Sequence, residues 1–404
     1  MENDPIALLK RLEQPQNFPA QHCPPGEPLS LNQGLLYGIA PYNSGIRFNW
    51  PNLKLNNNHG NTPFYAAFTQ EVALLDAQGM VVAQFGRRPE FIQLIAEISA
   101  RWQPHADDAS ANQTFTCSAF KSDWLYPDYE AAFNQVKAYI QAGDCYQINL
   151  AQRFQASFEG SSLEAFLRLM RSVPSPYAAY MNTGSETYLS CSPEHFISIH
   201  GPHLRTDPIK GTRPRHADPV KDAALQQALL ASVKDQAENL MIVDLLRNDL
   251  GRMALTGSVK VPELFRLESF QNVHHLVSTV EARLRPDVHP LRALLSCLPG
   301  GSITGAPKKR AIEIIAELEC APRESYCGSQ FLASPTQWVS NITIRTLQLQ
   351  GSTLTLWGGG GIVADSECRS EYNESLVKIN HIAAALGAPT LPLREPLEPS
   401  DLSS

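Results

Sequence analysis

The chain has no C-x-x-C pair, no surplus of basic residues, and no apolar run near the ~18 residues that cross a bilayer. Each gap removes a class of function. Eight cysteines are scattered at 23, 117, 145, 191, 297, 320, 327 and 368. That spacing argues against a thiolate metal site and reads as free thiols in a reducing compartment. A formal charge of −7 argues against nucleic-acid binding, which relies on basic stripes. No nucleic-acid or membrane partner is therefore expected. The opening MENDPIALLKRL lacks a basic region followed by a long apolar one, so no signal peptide is read and a cytoplasmic location is expected. With a negative overall field, an anionic substrate would need locally placed cations.

What remains is an ordinary globular composition, 43% hydrophobic and 18% charged over 404 residues, enough for one large core or two moderate ones. Residues 1 to about 103 mix turn-rich stretches with short apolar runs such as FYAAF and VALLD, and QPHADDASANQT (103–114) reads as a polar surface connection. Patterning then sharpens. DYEAAFNQVKAYIQAGD puts apolar residues at 129, 132, 133, 136 and 140 on one helical face, with Gly143 as a stop. CYQINLAQRF alternates as a strand. Asp218-Pro219 is an N-cap and first-turn pair, opening a helical region that breaks near Ser232 and runs to RNDLGR. NITIRTLQL and STLTLW read as strands around a Gln350-Gly351 turn, and a last helix over 367–386 stops at Gly387. The organisation expected is an N-terminal segment 1–115, a main domain 116–388 and a frayed tail 389–404. Hairpin-joined strands with helices between them favour an α+β fold with antiparallel sheets.

Several groups could carry chemistry. If GPH (201–203) is a hairpin loop, Glu194 lies opposite Lys210; a two-residue loop would set Lys210 against Pro193 instead. Such a pair is either a surface ion pair or an acid beside an amine tuned for proton transfer or nucleophilic attack. Asp235 and Glu238 share one helix face, as do Glu371, Glu374 and Lys378, with Leu376, Ile379 and Ala383 on another side. These stripes are either solvated or, where the two helices meet, suited to Mg²⁺, which takes oxygen ligands and needs only one or two carboxylates. PGGSITGAPKKRA has Gly300 and Gly305 at phosphate-loop spacing, but Ala306-Pro307 stand where Lys-Ser/Thr belongs, which excludes a Walker A site. That run and GGGGIVADS (358–366) are either tight turns or places where backbone N–H groups meet a ligand. Arg345 falls in the Thr343/Arg345/Leu347 set of its strand, and His274 and His275 sit in NVHHLVST. With Lys378, Arg345 would suit a small polyanion.

Taken in order and spacing, DPIKGTRPR, KDQAENLMIVDLLRNDLGR, PGGSITGAPKKRA and GGGGIVADS…EYNESLVK resemble the chorismate-utilising enzymes. That family comprises anthranilate, aminodeoxychorismate, isochorismate and salicylate synthases. The resemblance covers roughly 120–386. It implies an anthranilate-synthase-like two-subdomain sandwich, with two antiparallel sheets packed inside helices. In the isochorismate and salicylate synthases a lysine on the strand matching YQINL activates water. Gln147 stands at that position here, and an amide is no general base at neutral pH. Anthranilate synthases carry alanine before Gly-Thr, whereas this chain has Lys210, as aminodeoxychorismate synthases do.

The resemblance therefore implies amination of chorismate to 4-amino-4-deoxychorismate, for p-aminobenzoate and folate synthesis. Lys210 would be the nucleophile in its neutral form, Glu194 the acid for the departing C4 hydroxyl, and His275 a support near the ring. Glu238 and Glu374, aided by Glu371 and Asp235, would bind Mg²⁺. Arg345, Tyr326, Lys378, Gln147, Thr304 and the backbone of Gly359, Gly360 and Gly361 would hold the substrate. No segment reads as a glutaminase, so a separate glutamine amidotransferase subunit is the expected ammonia source. Two alternatives stand beside this reading: anthranilate synthase component I, and a non-catalytic chorismate-binding or regulatory paralogue.

Overall fold

The computed structural model describes residues 35–53, 55, 62–69, 72–75, 81–85, 88–101, 114–270, 273–334 and 336–394. The chain begins with β1 (Leu35–Ala40), α1 (Tyr42–Asn49), β2 (Tyr65–Thr69), β3 (Val72–Leu75), β4 (Val81–Phe85) and α2 (Pro89–Arg101). Next come β5 (Phe115–Cys117), β6 (Lys121–Ser122), α3 (Tyr126–Gln141), β7 (Gln147–Gly160), α4 (Ser162–Ser172), β8 (Ala179–Asn182) and β9 (Thr187–Ser190). β10 (His195–His200), β11 (His203–Thr206) and β12 (Ile209–Pro214) precede α5 (Pro219–Leu230) and α6 (Val233–Gly251). β13 (Lys260–Ser269), β14 (Val273–Arg283), α7 (Pro290–Cys297), β15 (Gly305–Ala306) and α8 (Lys308–Leu318) follow. β16 (Ser329–Ala333), β17 (Gln337–Asn341), β18 (Thr346–Gln350), β19 (Thr353–Ile362) and α9 (Cys368–Leu386) complete the series.

Two large antiparallel sheets carry the molecule, as the α+β expectation required. One contains β1, β2, β10 to β14, β16 and β17; the other contains β5 to β9, β15, β18 and β19. Helices cover them. α6 packs on β14, α9 on β19, and α3 and α8 on β7. Where the sheets meet, Ala151 of β7 and Trp357 of β19 join the apolar core of the first sheet. Strand β7 is buried on both sides over its first six residues, so the polar side of its alternation faces the interior and not water. β1 and β2, from the first 115 residues, extend the same sheet as β16.

Local signals explain the helix ends. Asp218 caps α5 by accepting from the Val220 N–H, with Pro219 in the first turn. Ser232 caps α6 by accepting from the Asp235 N–H, which is why the helical region breaks there. Gly387 closes α9 at φ 74°, a conformation glycine adopts without a Cβ penalty. No helix among the described residues is long and apolar enough to cross a membrane. The seven described cysteines are free. The segments 1–34, 103–113 and 395–404, including most of the expected surface connection and of the tail, lie outside the described residues.

Candidate active site

The strand reading of NITIRTLQL changes, and the change builds the site. NITIRTLQL is not one strand. β17 ends at Asn341 in one sheet and β18 begins at Thr346 in the other. TYLS and HFISIH divide the same way, with β9 and β10 in different sheets. The two crossings run side by side: the Ile342 N–H donates to the Glu194 carbonyl at 3.1 Å and the Cys191 N–H to the Arg345 carbonyl at 3.0 Å. Arg345 sits at φ 48°, outside the strand alternation expected for it. The crossings deliver Glu194 and Arg345 together to the junction of the sheets.

Lys210 arrives by another route. The β10–β11 hairpin turns at Gly201-Pro202 with His200 opposite His203, so the two-residue loop applies and the three-residue loop does not. Beyond Thr206 the chain continues as β12 along β14, where Lys210 faces Leu276. Its meeting with Glu194 is therefore made by the cavity, not by a strand pair. Gly211, at φ 76°, forms a bulge; a Cβ there would sit 2.8 Å from Leu229 Cδ1 and 3.0 Å from Asp235 Cβ. Only glycine lets β12 lie this close to the start of α6.

GGGG is strand, not turn. Gly358 to Gly361 lie in β19 and pair with Gln152, Ala151, Leu150 and Asn149 of β7. A Cβ on Gly359 would meet the Leu150 carbonyl at 2.4 Å, and one on Gly361 would meet Gln147 Nε2 at 2.9 Å. These glycines form a bare backbone wall. A cavity of about 670 Å³ opens above it, lined among others by Glu194, Lys210, His275, Tyr326, Arg345 and Lys378. Gln147, Asp235, Glu238, Glu371 and Glu374 line it too. One expected substrate residue stays out. Thr304 is fully buried, its hydroxyl donates to the Gly300 carbonyl at 2.8 Å, and Ser302 and Ile303 line the cavity in its place.

Burial raises the Glu194 carboxyl above its ordinary range, against the pull of Lys210, the Ser302 hydroxyl, Lys378 and Arg345. Ser302 Oγ donates to Glu194 Oε1 at 3.0 Å. The environment favours a protonated acid. Burial lowers His275, with Arg345 adding to the effect, so the ring is held toward neutral, and Nδ1 lies 2.9 Å from Thr212 Oγ1. Tyr326 stacks on Trp357 at 5.5 Å between centroids, and burial keeps it a neutral phenol.

The carboxylates converge from α6 and α9. Glu238 is raised by burial and by Asp235 and Glu374, with Lys210 and Lys234 opposing. Glu371 is raised by burial and by Glu374, while Ser366 Oγ donates to it at 2.7 Å. Asp235 is taken by Arg213 at 2.9 Å, and Glu374 by Lys378 at 2.8 Å. Lys378 also donates to the Gly359 carbonyl at 2.8 Å. No three His, Cys, Asp or Glu side chains among the described residues form a ready-made coordination cluster. A donor set of mutually repelling carboxylates still fits a cation that keeps most of its water and takes one or two carboxylates, which is the habit of Mg²⁺.

Lining residues that the sequence does not single out include Asn149, Thr212, Ser302 and Trp357. Asn149 was legible, being two residues from Gln147 and on the same strand face. The Asn149 side chain hydrogen-bonds to Tyr326, whereas Gln147 Nε2 and Trp357 Nε1 are buried donors with no partner among the described residues. Such groups are rare unless something binds them.

Comparison with known proteins agrees with this picture. The family model for chorismate binding enzymes matches residues 3–384. The chain is 50% identical over 279 residues to aminodeoxychorismate synthase component 1 of Klebsiella aerogenes, covering 69% of this chain and 62% of that protein. It is 51% identical over 266 residues to the protein of that name from Salmonella typhimurium, covering 66% and 59%. To anthranilate synthase component 1 of Bacillus subtilis it is 40% identical over 283 residues, covering 68% and 55%. The chain thus spans about three fifths of the length of the curated relatives it matches best among these. The crystal structure of anthranilate synthase component I from Streptococcus pneumoniae TIGR4 superposes with a TM-score of 0.77 at 27% identity, covering 96% of this chain and 86% of that one.

Proposed function

The chain belongs to the family of chorismate binding enzymes, and from that premise we propose that it aminates chorismate at C4 to give 4-amino-4-deoxychorismate. The observation that carries the reading is the meeting of Lys210 and the proton-favouring Glu194 in one cavity with Arg345. The names of the two relatives near 50% identity point the same way.

Arg345, Tyr326, Asn149 and the side-chain N–H groups of Gln147 and Trp357, which have no partner among the described residues, hold the substrate's oxygens. Glu238 and Glu374, with Glu371 beside them, would hold Mg²⁺, which when bound would neutralise a substrate carboxylate. The Lys210 Nζ lone pair forms a bond to ring C2, the double bonds shift, and the C4–O bond breaks. Glu194 supplies the proton with which water departs. Ammonia then bonds to C4, the C2–N bond breaks, and Lys210 leaves neutral. The proton on the new ammonium returns to Glu194, so the cycle closes. His275, held neutral, braces this region without adding charge. Ammonia comes from a separate glutaminase subunit, in keeping with the "component 1" in the relatives' names.

Product identity tests the reading. The protein is incubated with chorismate, Mg²⁺ and excess ammonium, with and without an aminodeoxychorismate lyase. p-Aminobenzoate formed only with the lyase supports it. Anthranilate formed without the lyase would assign the other amination, and unchanged chorismate would point to a binding protein.

A further inference from the structure

Behind the cavity wall, outside its lining, lies Arg323, 3% exposed, paired with Glu319, also 3% exposed. Its Nε and Nη2 donate to the Glu319 carboxylate at 2.9 and 2.7 Å. The other bonds go to backbone. Nη1 donates to the Ile303 carbonyl at 2.8 Å and Nη2 to the Asn149 carbonyl at 2.6 Å. Glu319 accepts in turn from the Ala151 N–H at 3.0 Å. The guanidinium also lies against two rings, 5.0 Å from the centre of Tyr42 and 5.4 Å from that of Tyr326.

These contacts are not scattered. Asn149 and Ala151 are the β7 partners of Gly361 and Gly359 in the bare wall. Ile303 follows Ser302, the donor to Glu194. Tyr326 lines the cavity, and its backbone N–H donates to the Arg323 carbonyl at 2.8 Å. Tyr42 belongs to α1, before the region the four motifs span. One planar cation thus ties together the glycine wall, the loop that orients the acid, and an aromatic side of the site. Lysine could supply the charge but not the fork.

We infer that the Glu319–Arg323 pair is a positioning unit, which sets the distance between the glycine wall, the Ser302 loop and Tyr326 and so the shape of the substrate cavity. The inference rests on the proposed amination of chorismate.

The test uses the full chain with ammonium and chorismate. Arg323→Lys lowers kcat/KM by on the order of 10- to 100-fold, the scale of a displaced site, with the circular dichroism of the parent. Release of the Ser302 loop removes a donor that favours the Glu194 carboxylate, so the alkaline limb of the kcat/KM profile moves to higher pH. Glu319→Gln keeps the shape and one acceptor and gives the same changes in smaller measure. Asp249→Asn, which breaks another buried pair (Lys308–Asp249, 2.6 Å) outside the cavity lining, lowers the melting temperature without moving that limb. An Arg323→Lys protein that melts early yet keeps the parental kcat/KM and pH limb overturns the inference. So does failure of both pair variants to fold, which would assign Glu319–Arg323 to the core alone. A parent that turns over no chorismate sinks the functional reading instead.

Discussion

Two sets of buried charge in this molecule are treated in opposite ways. Lys308–Asp249 and Arg323–Glu319 match cation to anion within 2.7 Å, and spare donors go to backbone carbonyls. In the cavity Glu238, Glu371 and Glu374 crowd one another although Lys378 reaches Glu374, and the side-chain N–H groups of Gln147 and Trp357 have no partner among the described residues. Matched polar groups hold architecture, whereas unmatched ones store binding capacity that a ligand releases.

That contrast is open to attack at several points. Lys210→Met should cut amination to below ~0.1% of the parent while leaving thermal stability near it, as expected for a reacting group; steady-state rates beside a melting curve decide. Glu194→Gln should lower kcat by about 10²–10⁴-fold. Because burial raises Glu194, activity in the parent is present below that raised value and lost as pH rises through it. The Gln variant should lack this limb.

On the matched side, Asp249→Asn leaves Lys308 buried without its counter-charge and should cost about 3–5 kcal/mol with little change in kcat/KM, read by urea denaturation. An activity loss as large as that of Glu194→Gln would erase the distinction. Asp207 is a milder case. Burial alone would raise it, but hydrogen bonds from His195, Arg205 and Thr279 outweigh that and hold it below the ordinary carboxylate range. Its stabilisation is therefore present above the unfolded value of about 3.9 and lost as pH falls. Asp207→Asn should flatten acid denaturation by up to ~3 kcal/mol. The smallest effect belongs to Gly360→Ala. Its Cβ would meet only Glu371 Oε2 at 3.1 Å and Glu374 Oε1 at 3.8 Å, so the fold should survive and the Mg²⁺ concentration for half-maximal rate should rise. Gly359→Ala, set against the Leu150 carbonyl, should impair folding instead.

Much of the site was legible because its motifs are local. Lys210 before Gly211, and Glu371, Glu374 and Lys378 on one turn-spaced stripe, need no tertiary information. The α3 face and the caps at Asp218 and Ser232 are fixed by neighbours within a few residues. Misreadings arose where geometry was non-local. NITIRTLQL alternates well enough to read as one strand through Arg345, and nothing local shows that the chain changes sheets there. GGGG reads as turn by composition, yet ten paired residues of β7 hold β19 extended. Thr304 resembles its neighbours in polarity, but its hydroxyl is spent on Gly300.

By itself, the sequence determined which groups are available: an amine, an acid, a carboxylate stripe on each of two helices, and backbone free of side chains. Helical and strand periods are properties of adjacent residues, so faces and caps follow directly. Only the tertiary structure decided that Glu194 meets Lys210 across a cavity and not across a hairpin, that two sheet crossings bring Arg345 beside them, and that Glu319 and Arg323 brace the wall. The reason is physical. Those meetings depend on contacts between segments from tens to more than a hundred residues apart, which no periodicity encodes and which packing and hydrogen bonding alone select.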